Sequence, residues 1–390
     1  MEFSNTGRLA VHILTEAAKL GASDVHVEPL EQEVRVRIRL DGLLQELCRL
    51  PWSYYSPLVT QLKVQSGMDI AEKRVPQDGR WQLAVAERSV DLRLSTLPTI
   101  NGEKVVVRLL DKQNNLLHVE ALGLSAANLR LYKAMYTSPN GLVLLTGPTG
   151  SGKTTTLYAT LQELQGTGLN LVTLEEPVEY RLAGINQVEV NRKVGLTFAR
   201  GLRALVRQDP DIIMVGEIRD EETAAMAVQA ALTGHLVLST LHTNSAVGAI
   251  ARLLDMGVAP YLLAASLRGV LSQRLVRRVC PLCATEYMAT ALEREYLGLK
   301  DERKLYHGTS CQHCRGTGYR GRLAVQELLP MDENMASLIS GGAAKAAILQ
   351  QAAKLGRRSL YDDGAAKVLT GVTTVAELLR NGIVKEEDHA

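Results

Sequence analysis

Residues 142–166 constrain this chain more than any other stretch. Leu142-Val143-Leu144-Leu145 is an uncharged apolar run of strand length. Gly147-Pro148-Thr149-Gly150-Ser151-Gly152-Lys153-Thr154 follows at once and fits the pattern G-x-x-x-x-G-K-[ST]. Leu157, Leu161 and Leu164 then recur at helical spacing, and Gly166 supplies a stop. A buried strand, a glycine-rich turn and a helix in that order make a phosphate-binding loop. Glycines let backbone N–H groups converge on phosphate oxygens, and the helix N-terminus adds partial positive charge. Lys153 is placed to reach the β- and γ-phosphates, and the Thr154 hydroxyl to ligate Mg²⁺, with Thr155 extending the binding segment. ATP and Mg²⁺ are the expected ligands.

The chain has 390 residues, enough for two or three domains at roughly 100–200 residues each. It is 46% hydrophobic and 22% charged, an ordinary globular balance. A net charge of +2 and 4% aromatic residues argue against a general nucleic-acid surface or a base-stacking platform. Nucleic acid is not an expected partner. Every uncharged apolar run is shorter than the roughly 18 residues a membrane helix needs, and residues 1–20 lack a signal-peptide core. The expected location is cytoplasmic.

Around the phosphate loop the pattern divides the chain. Residues 1–20 suggest an amphipathic helix with Leu9, Ile13, Leu14 and Ala17 on one face. Val34-Arg35-Val36-Arg37-Ile38-Arg39-Leu40 alternates strictly, a strand with one apolar and one arginine face. Asp41-Gly42 is a hairpin signal. Trp81–Val85, Val90–Ser95 and Lys104–Leu110 read as further strands of a small α+β domain, residues 1–112. Residues 113–125 read as a linker. Over 126–279, strands at Leu142–Thr146, Asn170–Leu174, Ile212–Val215 and Leu236–Leu241 alternate with helical stretches, which predicts a mainly parallel sheet covered by helices. Residues 280–322 form a cysteine module. Residues 323–390 read as short helices, one near Ala343–Leu355.

A phosphate loop needs a carboxylate at the end of a neighbouring strand. Ile212-Ile213-Met214-Val215-Gly216-Glu217 supplies one, and Glu217 is the candidate for the Mg²⁺ shell. Asp209 and Asp211 lie at the opposite end of that strand and read as structural. Thr173-Leu174-Glu175-Glu176-Pro177-Val178-Glu179-Tyr180 brings three carboxylates to the end of another strand, the end that faces the ligand crevice in an α/β sheet. Glu175, Glu176 or Glu179 is the candidate to polarise an attacking water. His235 and His242 bracket the strand Leu236–Leu241, too far apart to bind one metal, and one of them is a candidate γ-phosphate sensor. Arg80 and Arg93, in the first domain, read as ordinary surface arginines from the residues alone; if that domain of a neighbouring subunit closes over the nucleotide, they are candidates to stabilise transition-state charge in trans. Arg219 is a candidate for coupling subunits, with a salt bridge to Asp220 or Glu221 as the alternative.

Four of the five cysteines form two pairs, Cys280-x2-Cys283 and Cys311-x2-Cys314, separated by residues 284–310. Paired C-x2-C turns present four thiolates to one tetrahedral Zn²⁺, and a closed four-cysteine site is structural because no position is left for water. The spacer exceeds the common ~15–20 residues and has room for a helix, roughly Ala291–Leu297. His313 lies between ligands and does not read as one. Cys48 stands alone.

Several segments together resemble one family. They are Ser23-Asp24-Val25-His26-Val27-Glu28-Pro29, Arg74-Val75-Pro76-Gln77-Asp78-Gly79-Arg80, the phosphate loop, and Glu176-Pro177-Val178-Glu179-Tyr180. Arg207-Gln208-Asp209-Pro210-Asp211 through Gly216-Glu217-Ile218-Arg219-Asp220, Gly234-His235-Leu236 to Thr240-Leu241-His242-Thr243-Asn244, and the four cysteines complete the set. In order and content they resemble the secretion ATPases that power type II secretion and type IV pilus assembly, from about residue 20 to the C-terminus. The resemblance implies a PAS-like N-terminal domain and a RecA-like ATPase domain in a hexameric ring. It implies roles for Glu175–Tyr180 as an "Asp box" with Glu176 at the usual aspartate, Glu217 as the Walker B acid, and His235 and His242 as a "His box". It implies that Arg80 and Arg93 act across the subunit boundary.

In that family the four-cysteine module resembles assembly rather than retraction motors. The implied work is ATP hydrolysis at the inner face of a bacterial inner membrane, driving a platform protein there. Many relatives carry a further N-terminal docking domain; only residues 1–22 precede Ser23 here, so that domain is expected to be missing from this chain. Two other classes remain open from the residues alone. One is a DNA-translocating RecA-fold motor, which DNA-stimulated turnover with a steep salt dependence would reveal. The other is a non-catalytic zinc-ribbon module with a vestigial nucleotide site, against which the intact Lys153, Thr154 and Glu217 speak.

Overall fold

The structure, a computed structural model, describes residues 8–86, 88–111, 118–166 and 168–385. The chain divides into two units, Met1–Leu116 and Leu117–Ala390.

The first unit is a PAS-like α+β fold. Helix α1 (Leu9–Lys19) leads to β1 (Asp24–Pro29), β2 (Glu33–Leu40) and β3 (Leu43–Pro51), then α2 (Tyr55–Ser66), β4 (Gln77–Val85), β5 (Arg88–Thr99) and β6 (Gly102–Asp111). Among the described residues these strands form one antiparallel sheet in the order β3-β2-β1-β6-β5-β4. The strict alternation of β2 is reproduced in space: Val34, Val36, Ile38 and Leu40 are buried, while Arg35, Arg37 and Arg39 face away. Leu9, Ile13, Leu14 and Ala17 of α1 close over the apolar face. At the β2–β3 turn Asp41 and Gly42 have φ of 47° and 82°, the left-handed pair that a two-residue hairpin needs to match strand twist. On the arginine face the nearly buried Glu28 accepts ion pairs from Arg35 (3.0 Å), Arg37 (2.7 Å) and Lys104 (3.1 Å). Burial opposes its charge, but Arg37 and Lys104 hold the carboxyl at about 2.

The second unit is a RecA-like α/β fold. After α3 (Ala126–Tyr136) come β7 (Gly141–Thr146), α4 (Lys153–Leu164), β8 (Leu171–Glu175), β9 (Asn186–Glu189), α5 (Phe198–Leu205), β10 (Ile212–Val215), α6 (Glu221–Leu232), β11 (Leu236–Leu241), α7 (Ala246–Asp255), α8 (Pro260–Ser266) and β12 (Leu267–Val279). Strand β15 (Tyr319–Pro330) returns to the same sheet, whose order is β15-β12-β7-β11-β10-β8-β9. All neighbours pair parallel except β12 with β15. The ends of β7, β8, β10 and β11 therefore open on one edge. Every residue of these four strands is buried, because helices cover both sheet faces.

Between β12 and β15 sits the cysteine module: β13 (Ala284–Met288), α9 (Ala291–Leu297) and β14 (Lys304–Gly308), with β13 and β14 antiparallel. Helices α10 (Glu333–Ser340), α11 (Lys345–Lys354), α12 (Leu360–Leu369) and α13 (Val375–Arg380) follow.

Strands β12 and β15, which complete the main sheet beside β7, are among the strands that escaped the sequence reading. Residues 323–330 are strand, not helix, and the helical tail begins at Glu333. Strand β12 was missed because it is covered on both sides: Ser272, Gln273 and Arg274 are buried with their apolar neighbours, so no polar–apolar alternation marks it.

Candidate functional site

The phosphate loop leaves β7 at Thr146 and enters α4 at Lys153. Gly147 has φ 148°, and a Cβ there would lie 2.4 Å from the Gln273 carbonyl, so only glycine lets the loop rest on β12. Gly150 and Gly152 have φ of 78° and 90°, and Gly152 caps α4. The first α4 N–H groups and the exposed Thr154 thus border the loop, where the helix N-terminus adds partial positive charge. Lys153 is buried, and its Nζ donates to the carbonyls of Gly147 (2.7 Å) and Pro148 (3.2 Å). Burial pushes its ammonium down to about 8; Arg274 adds to the effect and Glu217 opposes it.

Glu217 follows β10 on the same edge. Its Oε1 accepts from Arg219 Nη2 (2.6 Å) and its Oε2 lies 3.1 Å from His242 Nε2. Arg219 also reaches Glu176 (3.4 Å), which a two-point contact ties to Arg192 (2.7 and 3.0 Å). A chain Arg192–Glu176–Arg219–Glu217–His242 results, and it lowers the Glu176 carboxyl chiefly through Arg192. Four groups singled out in the sequence, Glu176, Glu217, Arg219 and His242, are thus joined.

The remaining candidates separate. Glu175 is buried and accepts from Thr173 Oγ1 (2.6 Å), Gln187 Nε2 (3.1 Å) and the Tyr158 hydroxyl, so it ties β8 to α4. Glu179 lies in the turn that follows, its N–H donating to the Tyr158 hydroxyl (3.3 Å). His235 is not brought to the cluster: its Nδ1 lies 3.0 Å from the Ala230 carbonyl, at the start of β11, whereas His242 follows the end of that strand. A parallel strand sends its two ends to opposite sheet edges, which removes His235 from this chain's nucleotide edge. Arg219 does not pair with Asp220 or Glu221 in the manner of a surface bridge; Asp220 caps α6 through the Thr223 N–H (2.8 Å). Asp211 accepts from the Asn170 N–H (2.7 Å) at the far edge, a structural contact. Arg80 and Arg93 are cross-strand partners in the first unit, Arg80 exposed and Arg93 half-buried, and Arg93 in turn faces Arg108.

Sequence reasoning missed Arg192, Gln273 and Arg274. Gln273 Nε2 donates to the Ser151 carbonyl (2.8 Å) and its Oε1 accepts from Thr156 Oγ1 (3.1 Å). Arg274 donates to Asn244 Oδ1 (3.1 Å) in the loop after His242. The polar run Ser272-Gln273-Arg274 inside an apolar stretch was the available signal.

In the cysteine module the four Sγ atoms lie within 4.8 Å of one another. Cys280 and Cys311 are 3.8 Å apart, Cys283 and Cys314 3.8 Å, and Cys311 and Cys314 3.7 Å. A Zn–S bond of about 2.3 Å in a tetrahedron puts sulfurs about 3.8 Å apart, so the set fits zinc. Burial works against a charged Cys314, but the N–H groups of Cys311 and Gly318 bring its thiol down to about 6. A Cβ on Gly308 would lie 2.0 Å from the Gly318 carbonyl, so bare backbone lets the knuckles meet. Zinc held there would lock the two knuckles together and supply no catalysis.

A phosphate loop at the end of a central parallel strand, with a carboxylate after the neighbouring strand but one, defines a P-loop nucleotide site on a RecA-like fold. The chain belongs to the type II/IV secretion system protein family, whose model matches residues 2–380. It is 52% identical to the type II secretion system protein E of Pseudomonas aeruginosa over 382 residues, 97% of this chain and 76% of that one. It is 46% identical to the type IV pilus assembly ATPase PilB of Thermus thermophilus, covering 98% of this chain and 44% of PilB. Among solved structures, the pilus retraction motor PilT with bound ADP superposes with a TM-score of 0.66 at 25% identity over 97% of each chain. The Legionella pneumophila ATPase DotB superposes with a TM-score of 0.72 at 20% identity over 98% of each, a likeness of fold. No helix among the described residues is long and apolar enough to cross a membrane.

Proposed function

We propose that this chain hydrolyses ATP as a homo-hexamer and powers assembly of a pilus or pseudopilus for type II secretion, type IV pilus or competence machinery. The observation that carries the reading is the joined set of Arg192, Glu176, Arg219, Glu217 and His242, on the same sheet edge as the phosphate loop and Lys153, where β7, β8, β10 and β11 end. Lys153 leaves the loop carbonyls for the β/γ-phosphates, and the loop N–H groups of Gly150, Ser151, Gly152 and Thr154 hold the phosphate oxygens. Thr154 and Glu217 would hold Mg²⁺, which supplies charge neutralisation on the phosphates. Glu179 orients the water; Glu176, with its carboxylate committed to Arg192 and Arg219, anchors the cluster instead. His242, bonded to Glu217, senses the terminal phosphate. Arg80 and Arg93 complete the site from a neighbouring subunit, and the cysteine module binds zinc structurally. The platform protein at the inner face of the bacterial inner membrane is the proposed partner.

The test is Mg²⁺-dependent ATPase activity across protein concentration, with size from light scattering and Lys153→Ala as control. Activity per subunit should rise as hexamers form and vanish in the control. Full activity from a monomer overturns the trans arginines; none from a hexamer overturns the hydrolytic reading.

A further inference from the structure

Gln273 and Gln326 stand directly opposite each other in the β12–β15 ladder. Direct partners in an antiparallel pair project to the same face with Cβ atoms about 5 Å apart, within reach of two glutamine side chains. Both are 1% exposed. The two amides are nevertheless treated differently. Gln273 spends its amide on the phosphate loop, donating to the Ser151 carbonyl and accepting from Thr156. Among the described residues Gln326 has neither its Nε2 nor its Oε1 paired, and its main-chain N–H donates to Asp363 Oδ2 (2.8 Å). An unpaired buried amide is costly and rare, so the site retains it against a standing penalty. A second unpaired buried group lies on the loop itself, the Ser151 hydroxyl.

Nucleotide would offer this loop new partners. Lys153 Nζ is bonded to the Gly147 and Pro148 carbonyls, and phosphate would compete with them for its N–H groups. The Ser151 peptide, whose carbonyl Gln273 holds, sits two residues before that lysine. A loop that shifts toward phosphate releases the Gln273 amide in a buried place where Gln326 is its cross-strand polar neighbour. Two facing amides satisfy each other with one N–H donated to one carbonyl, and no charge is moved.

We propose that Gln273 positions the phosphate loop in the empty site, and that Gln326 receives the Gln273 amide when nucleotide draws the loop away. Gln326 thereby stabilises the nucleotide-bound state without touching nucleotide. The inference rests on the nucleotide-binding reading above.

The experiment uses the full chain, a non-hydrolysable Mg-ATP analogue, calorimetric Kd and thermal melting. Gln326→Met removes the amide while keeping the unbranched shape, and Gln326→Leu serves if the first variant folds poorly. Without nucleotide the melting temperature should hold or rise, because an unpaired buried amide is gone. Affinity should weaken about fivefold, the worth of one net hydrogen bond. In a Gln273→Met background the same Gln326 substitution should leave affinity unchanged, since the exchange partner is already missing. Unchanged affinity in the single variant overturns the exchange, as does an equal loss in both backgrounds. Wild-type protein that binds no analogue sinks the nucleotide-binding reading itself, a result distinguishable from either.

Discussion

Lys153 makes the affinity for nucleotide depend on pH, with a sign and a window that the structure supplies. Its ammonium is buried beside Arg274 and carries a value of about 8. The gap from the ordinary lysine value corresponds to about 3 kcal/mol against the charged form. Because the folded value lies below the unfolded one, this penalty is fully present below pH 8 and is relieved as pH rises past it. Polyphosphate acts in the opposite direction by favouring the ammonium and raising the value. Binding therefore takes up a proton above pH 8 and almost none at pH 7. Affinity should be flat from about pH 7 to 8 and then fall by at most tenfold per pH unit. Calorimetry of a non-hydrolysable Mg-ATP analogue, run in two buffers of different ionisation enthalpy, counts the protons. About 0.9 proton per site is expected at pH 9 and about 0.1 at pH 7. Lys153→Arg keeps its charge throughout and should abolish the uptake. Uptake below about 0.2 at pH 9 would refute the burial argument, because a lysine already charged in the empty site has no proton to gain.

Other expectations concern single groups. Glu179→Gln should lower kcat about 10²-fold or more with nucleotide affinity kept, while Glu175→Gln should instead cost about 1–3 kcal/mol in denaturant unfolding, since its carboxylate closes a buried hydrogen-bond set. Arg80→Ala should reduce turnover of assembled protein about 10³-fold and leave analogue binding intact; wild-type kcat in a hexamer removes the trans-arginine role. Elemental analysis should find one zinc per chain, lost in Cys280→Ser together with thermal stability. Glu28, held at about 2, contributes stability that is present above the ordinary carboxylate range and lost as pH falls toward 2; Glu28→Gln should flatten that part of the acid-unfolding profile.

Much of the fold was legible because its signals are local. The alternation of Val34–Leu40, the Asp41-Gly42 turn, and the apolar runs at Ile212–Val215 and Leu236–Leu241 all became the expected elements. Helix α9 occupies the predicted Ala291–Leu297. Strands β12 and β15 were not legible. They pair with each other across the cysteine module, β12 also lies against β7, and their buried stretches carry no polar–apolar alternation. The candidate site divided similarly. Its phosphate loop and Glu217 were read from residue order, whereas the partners of Glu217, and the difference between Glu175 and Glu176, were not.

By itself the sequence determined the strand–loop–helix of the phosphate site, the paired thiolates and the acid after β10, since each depends on spacing within one short segment. Tertiary structure alone decided that Glu175 is a buried brace, that His242 rather than His235 meets Glu217, that Arg219 bridges two carboxylates, and that Gln273 holds the loop. These contacts join residues up to 122 positions apart. They exist because parallel strands deliver their ends to one edge of the sheet, and that edge is set by strand order.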